Sequence, residues 1–247
     1  MKLPSSRPRR WRWMAEHLVF TLCAALGSMG ELAGHERRGS LTWPGRSAVI
    51  GLVAAAMGIR RGDDAGFAWL DALRMAVGVI DHGVPLRDYH TVETIPTAAA
   101  RNPDSRPAAL ARAGRNTNTT ITLRDYRVGV AYAVALWPGP GWTGALEDLA
   151  QALRQPVFTL YLGRKSCPLA APPAPRIVKA EGPLQALALA ARPPFGHQGA
   201  LRLVASDEPL SPADVPDNRN DLPVERAKWH FAQRPVFIHR PAAEGAT

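Results

Sequence analysis

The stretch Trp43–Asp64, WPGRSAVIGLVAAAMGIRRGDD, joins a basic, glycine-bearing loop to the most apolar helix expected in the chain. Pro44 and Gly45 interrupt what precedes them. Ser47 is placed to cap a helix in which Ala48, Val49, Leu52, Val53, Ala56 and Met57 recur at helical spacing. Gly51, Ala54 and Ala55 let its other face approach a sheet or a second backbone closely, so the helix reads as buried on two sides. Arg37, Arg38 and Arg46 stand near its amino end, where free backbone N–H groups already attract anions. Two readings follow: a backbone-binding element facing a polyanion, or a core helix with solvated arginines.

Composition favours a polyanion partner. The 30 Lys and Arg against 21 Asp and Glu give a net charge of +9, and most of the cations are arginines, whose planar fork suits phosphate. A chain of 247 residues buries a sizeable core as one large domain or two small ones. The two cysteines, Cys23 and Cys167, argue against a disulfide framework and a cysteine-rich zinc site, and point to a reducing cytoplasm. No apolar run reaches the roughly 20 residues of a membrane span. MKLPSSRPRRWRW followed by Leu18–Leu26 superficially looks like a secretion signal, but Glu16 and His17 interrupt the junction. Residues 1–13 read instead as a disordered extension or a misassigned start, with Met14 as the alternative.

Taken in order, Leu18–Leu26 is expected as a central strand, followed by a glycine-rich loop and the helix from Ser47 to Gly58. A second helix is expected over Asp63–Leu73, then strands over Arg74–Asp81 and Leu86–Val92. Glu93–Asn118 is polar, with Pro96, Pro103 and Pro107, and reads as a projecting arm with basic flanks. Thr119–Tyr126 returns as a strand continuing to Trp137, and Thr143 is placed to cap an amphipathic helix marked by Leu146, Leu149, Ala150 and Leu153. With Val157–Leu162 as the next strand, the order approaches the βαββαβ pattern of a ferredoxin-like sheet. The fold class is thus α+β. Residues 14–170 form its ferredoxin-like domain, with the arm at about 93–118, and the proline-rich residues 171–247 form a small β-rich C-terminal subdomain. That last region is expected to hold a helix over Leu184–Ala191 and strands near Ala200–Ala205, Ala227–Phe231 and Val236–His239.

Two further stretches bear chemistry. YLGRKSCPL, Tyr161–Leu169, turns at Gly163 and sets Arg164, Lys165 and Ser166 on a turn able to hold a phosphate, or simply solvated. LRDYHTV, Leu86–Val92, offers Arg87, Tyr89, His90 and Thr91. Tyr and His stack on unpaired bases, and with Arg87 and Asp88 they also resemble the acid–base set of a metal-independent ribonuclease. The remaining histidines lack metal-ligand spacing, so neither a metal nor a cofactor is expected.

Read together, PGRSAVIGLVAAAMGI with RRGDD after it, LRDYHTV before a polar arm, and YLGRKSCPL resemble in order and separation the Cas5 family of the RAMP superfamily, in the CasD form found in type I-E CRISPR Cascade. The ordered set, rather than any one motif, carries the resemblance, over roughly residues 18–240. It implies a ferredoxin-like (RRM/RAMP) core with a thumb, non-catalytic, gripping the 5′ handle of the crRNA at the foot of the complex. Its partners would be the backbone subunit CasC and the large subunit CasA, with target DNA met only through the assembled complex and no membrane. Arg46 and Ser47 would lie near the handle, Arg87, Tyr89, His90 and Thr91 at the thumb base, and Tyr161, Arg164, Lys165 and Ser166 on a second wall. Arg37, Arg38, Arg112, Arg115 and Arg124 complete the expected RNA-binding set. A related type I-C subunit cleaves precursor RNA, which keeps a metal-independent endoribonuclease as the alternative. The first 13 residues and the proline-rich second half depart from the family pattern.

Overall fold

The computed structural model describes residues 14–30, 36–98, 101–194, 199–226, 228 and 230–241; residues 1–13 lie outside them. Strand β1 (Ala15–Gly27) is buried from His17 to Ala24, which is why this segment reads as a continuous apolar run: both faces are covered. After β2 (Arg37–Arg38) come helices α1 (Arg46–Met57) and α2 (Asp64–Asp71), then the long strand β3 (Leu73–Thr94). Helix α3 (Arg106–Ala113) precedes the equally long β4 (Asn118–Pro138), and α4 (Leu146–Arg154), β5 (Arg176–Ala180) and α5 (Pro183–Ala188) follow. Strands β6 (Leu203–Ser206), β7 (Val215–Glu225) and β8 (His230–His239) complete the order. One sheet of the described residues runs β5-β1-β4-β3-β6-β8-β7, with β2 pairing β4. β4 is antiparallel to both of its long neighbours, β1 and β3.

Side chains alternate across the sheet and meet two cores. On one side Leu18, Phe20, Leu22, Val77, Tyr132 and Val134 pack beneath α1, α2 and α4. The other side is narrower, lined by Ala76, Ala131, Ala133 and Ala135 and covered by Ala186 and Leu187 of α5. Helix α4 buries the expected Leu146, Leu149, Ala150 and Leu153. No helix of the described residues is long and apolar enough to cross a membrane.

Several local expectations are revised by long-range contacts. The strands expected over Arg74–Asp81 and Leu86–Val92 are one strand, β3, because Asp81–Pro85, which carries turn chemistry, is a kink rather than an end. Val157–Leu162 is not a strand: the Val157 and Phe158 N–H groups donate to the Ala56 and Ala55 carbonyls (2.9 and 3.2 Å), satisfying the open end of α1. The strand that follows α4 is β5, which pairs β1. Neither Ser47 nor Thr143 caps a helix; the cap positions are Gly45 and Ala145, without side-chain bonds. In the proline-rich region β7 and β8 form a hairpin, and β6 joins them to β3.

The amino end of α1 does bind an anion, but the anion belongs to this chain. Asp221 Oδ2 accepts from the Arg46 N–H at 2.6 Å. The Arg46 guanidinium donates to Asp207 (2.6 Å) and to the carbonyls of Asp71 and Leu73 (2.7 and 2.8 Å). Arg234 closes the ring, donating to Asp207 at 2.8 Å and to both Asp221 oxygens at 2.6 and 3.1 Å. Burial pushes the Asp207 carboxyl up from the ordinary carboxylate range against the pull of Arg46 and Arg234. Such a desolvated network is costly to break and adds little net stability over an apolar equivalent; what it supplies is geometry. Arg46 therefore fastens α1 to β6–β8 instead of facing phosphate, and Ser47 sits half-buried beside it.

Replacing Arg46 with Ala removes one of the two guanidiniums on buried Asp207 and the donor to the Asp71 and Leu73 carbonyls, and is expected to cost about 3–5 kcal/mol in urea denaturation. Arg37→Ala, at an exposed position, is expected to stay within about 0.5 kcal/mol.

Candidate nucleic-acid interface

Beyond the sheet core, β3 and β4 run on together as a projecting hairpin, paired without interruption from Leu86↔Tyr126 to Thr94↔Asn118. Its base is built from a repeated tetrapeptide, Leu86-Arg87-Asp88-Tyr89 and Leu123-Arg124-Asp125-Tyr126. In antiparallel register the two copies meet head to tail, so that Arg87 stands opposite Asp125 and Asp88 opposite Arg124. The first of these pairs is closed, with Arg87 Nε donating to Asp125 at 2.7 Å. The second is open: Asp88 lies 3.3 Å from His90 Nε2, while the Arg124 Nε is buried without an acceptor.

Asp125 organises one face. Strand β2 lies parallel to β4 there, and Arg37 donates to Asp125 through Nε and Nη2 at 3.2 and 3.0 Å, so one carboxylate holds two exposed guanidiniums side by side. The hydrogen bond from Arg87, more than that from Arg37, keeps this carboxyl below its ordinary value against its partial burial. On the other face the loop Tyr161–Pro168 closes against the hairpin base. Arg164 stacks over Tyr126, 4.6 Å from the ring centroid, and donates to the Asp125 and Arg38 carbonyls at 3.3 and 3.0 Å. Burial raises the Tyr126 phenol, but hydrogen bonding to Ser166 and Arg164 brings it below its ordinary value. Gly163 lets the same loop pass against Ser28, beyond the end of β1: its φ is +92°, and a Cβ there would collide with the Ser28 carbonyl.

The structure thus gathers Arg37, Arg38, Arg87, Tyr89, Arg124, Tyr161, Arg164, Lys165 and Ser166 around the hairpin base. Lys165 and Tyr89 are exposed, and Arg164 is half-buried and engaged within the chain. His90 and Thr91 continue up β3 opposite Thr122 and Ile121. Arg112 and Arg115 are exposed at the far end, where α3 caps the arm; Arg112 lies 3.8 Å from Asp104. The arm is therefore a hairpin carrying a short helix, capped by Ser105, which accepts from the Ala108 N–H. Arg46 and Ser47 do not belong to this cluster. Successive strand residues point to opposite faces, so Arg87 and Tyr89 lie on one side and Asp88 and His90 on the other. The Tyr89 and His90 pair that the sequence offers as an acid–base set is therefore divided between the two faces of the hairpin, with Asp88 beside His90. Asp125 and Tyr126, the residues that order the site, escaped the sequence reading; the repeated LRDY was the available signal.

A family model described as CRISPR-associated protein (Cas_Cas5) matches residues 17–237. The CRISPR system Cascade subunit CasD of Escherichia coli (strain K12) is 29% identical over 235 residues, spanning 91% of this chain and 96% of that protein. Among solved structures, a chain of a CRISPR RNA-guided surveillance complex matches with a TM-score of 0.64 at 26% identity, covering 91% of this chain and 89% of that one. A crystal structure of a Cas protein matches with a TM-score of 0.59 at 27% identity, over 91% and 94% of the two chains.

The carboxyl of Asp125 is expected to titrate below the ~3.9 of a free aspartate in a 13C NMR pH series. Its folded value being the lower one, its contribution to stability is complete above the unfolded value and lost as pH falls through the folded one. Arg87→Ala should raise the midpoint more than Arg37→Ala does; the reverse order would mean that Arg37 is the principal partner.

Proposed function

Because this chain belongs to the Cas5 family of CRISPR-associated proteins, we propose that it is a non-catalytic RNA-binding subunit of a type I-E Cascade complex, capping the 5′ handle of the crRNA and helping to assemble the foot of the complex in the cytoplasm. The observation that carries this reading is that three sequence-distant basic stretches meet at the base of one projecting hairpin, Arg37 with Arg87 on one face and Arg38, Arg124 and Arg164–Lys165 at the other. Guanidinium and ammonium groups of this kind hold phosphates, while Tyr89, 61% exposed, offers a stacking face for an unpaired base on the side of Arg37 and Arg87.

In this reading the core is ferredoxin-like. Support comes from the order β5-β1-β4-β3 with helices between β1 and β3 and between β4 and β5. The hairpin from about residue 86 to 126, with α3, is the thumb that reaches over the guide, Arg112 and Arg115 lying along it. Residues 14–170 supply most of the core, and residues 171–247 the β-rich C-terminal part, whose β5 completes the core edge. The backbone subunit CasC and the large subunit CasA are its protein neighbours, and target DNA is met through the assembled complex.

Affinity purification from cells carrying the neighbouring genes and a CRISPR array, followed by sequencing of the bound RNA, tests the reading. Mature guides with a uniform repeat-derived 5′ end, recovered with other Cascade subunits, are expected; recovery of uncut repeat RNA that the protein alone then cleaves without metal would overturn it. Lys165→Gln should weaken RNA binding and reduce the slope of log K against log salt by about 0.7, the single-strand value for one released counterion. Arg164→Gln is expected to act differently, loosening the Tyr161–Pro168 loop and its contact with Tyr126.

A further inference from the structure

Between the core and the hairpin base the two long strands pass through a joint. The register of β3 against β4 slips between Val79 and Asp81, which leaves Ile80 as the extra residue of a bulge. Gly83 and Gly129 then stand between the paired positions His82↔Val130 and Val84↔Val128, each with a positive φ, +66° and +71°. A side chain at Gly83 would run into the Val128 carbonyl. Both strands therefore bend at the same level, and glycine is what permits the bend.

A bend made by two glycines is soft unless something ties it. Here the Asp81 carboxylate accepts from the Gly83 N–H at 2.8 Å. Arg127 reaches across from β4, its Nε donating to the His82 carbonyl at 2.8 Å and its Nη2 to the Gly83 carbonyl at 2.9 Å, with His82 Nδ1 3.1 Å from Nη2. The planar fork of one arginine thus satisfies two successive carbonyls on the bent strand, a geometry a lysine does not reproduce.

We infer that Arg127 is a positioning residue: its guanidinium locks the elbow formed by Gly83 and Gly129 and so sets the angle at which the hairpin presents Arg87 and Tyr89 on one face and Arg124, beside the loop Tyr161–Pro168, on the other. The inference rests on the RNA-binding reading for its consequence, but the lock itself is a property of the free chain. Arg127 acts through the backbone and touches no ligand.

Hydrogen exchange on the full chain without RNA reads the lock directly. In Arg127→Ala, amides of residues 86–126 are expected to exchange about tenfold faster, the equivalent of one lost hydrogen bond of about 1.4 kcal/mol, while those of β1 and of residues 130–136 are unchanged. Arg127→Lys keeps the charge and should follow Ala. RNA affinity should fall about tenfold in both variants with the salt slope unchanged. Wild-type exchange in Arg127→Ala would overturn the lock. So would a salt slope lowered by about 0.7 in Ala and restored in Lys, which would make Arg127 a phosphate ligand. Should Arg127→Ala loosen the whole core, Gly129→Ala serves instead: its Cβ meets open space, yet the positive φ disfavours the bend, and hairpin exchange should rise alone. Failure of the wild-type chain to bind handle RNA would sink the functional reading and leave the exchange result standing.

Discussion

One antiparallel ladder, β3 against β4, runs from Leu73↔Pro138 in the core to Thr94↔Asn118 in the hairpin, and nearly everything else is placed by it. Register in a sheet moves every side chain to the other face when it slips by one residue, so a continuous ladder transmits the core's register outward. Within the core the apolar alternation of Val77, Val79, Tyr132 and Val134 pins that register by burial. Beyond it neither core cluster of the described residues extends, and polar pairing takes over: Arg87 meets Asp125, and Arg127 braces the bend. The bulge after Val79 and the two glycines let the ladder change direction without breaking.

Net charge alone overstates how many cations face a polyanion. Arg46 and Arg234 are consumed in a buried ring with Asp207 and Asp221. Arg226 lies over Phe67 and pairs with Asp71, and Arg219 lies over Trp43. Arg127 and Arg164 donate to backbone carbonyls. The guanidinium's five donors and weak hydration suit it for these internal tasks as well as for phosphate. What distinguishes the hairpin base is therefore the arrangement of its cations: exposed Arg37 and Arg87 share the single carboxylate of Asp125 on one face, and Arg124 and Lys165 stand at the other on half-buried and exposed ground.

The elements whose identity depends on local pattern were legible. β1 announced itself as an apolar run, α1 and α4 by helical spacing, and the arm by its polarity between two strands. Misreadings cluster where a local signal was answered from far away. Ser47 and Thr143 are good caps by composition, yet α1 takes its anion from Asp221, 175 residues distant. Val157–Phe158 looks like a strand start, and its amides finish a helix instead. Asp81–Pro85 carries turn chemistry, and its glycine served a bend inside one strand because Arg127 was opposite to hold it.

The sequence by itself determined the class of the chain, the strands β1 and β4, the helices α1, α2 and α4, and the basic stretches at positions 37–38, 87–91 and 161–166, because periodicity and residue chemistry are written within a few residues of one another. Tertiary structure alone decided which arginines face outward and that two copies of Leu-Arg-Asp-Tyr would meet as complementary pairs. The physical reason is that a charge's role is set by its partner, and these partners are chosen by strand register and long-range packing, as with Arg46 and Asp207 across 161 residues.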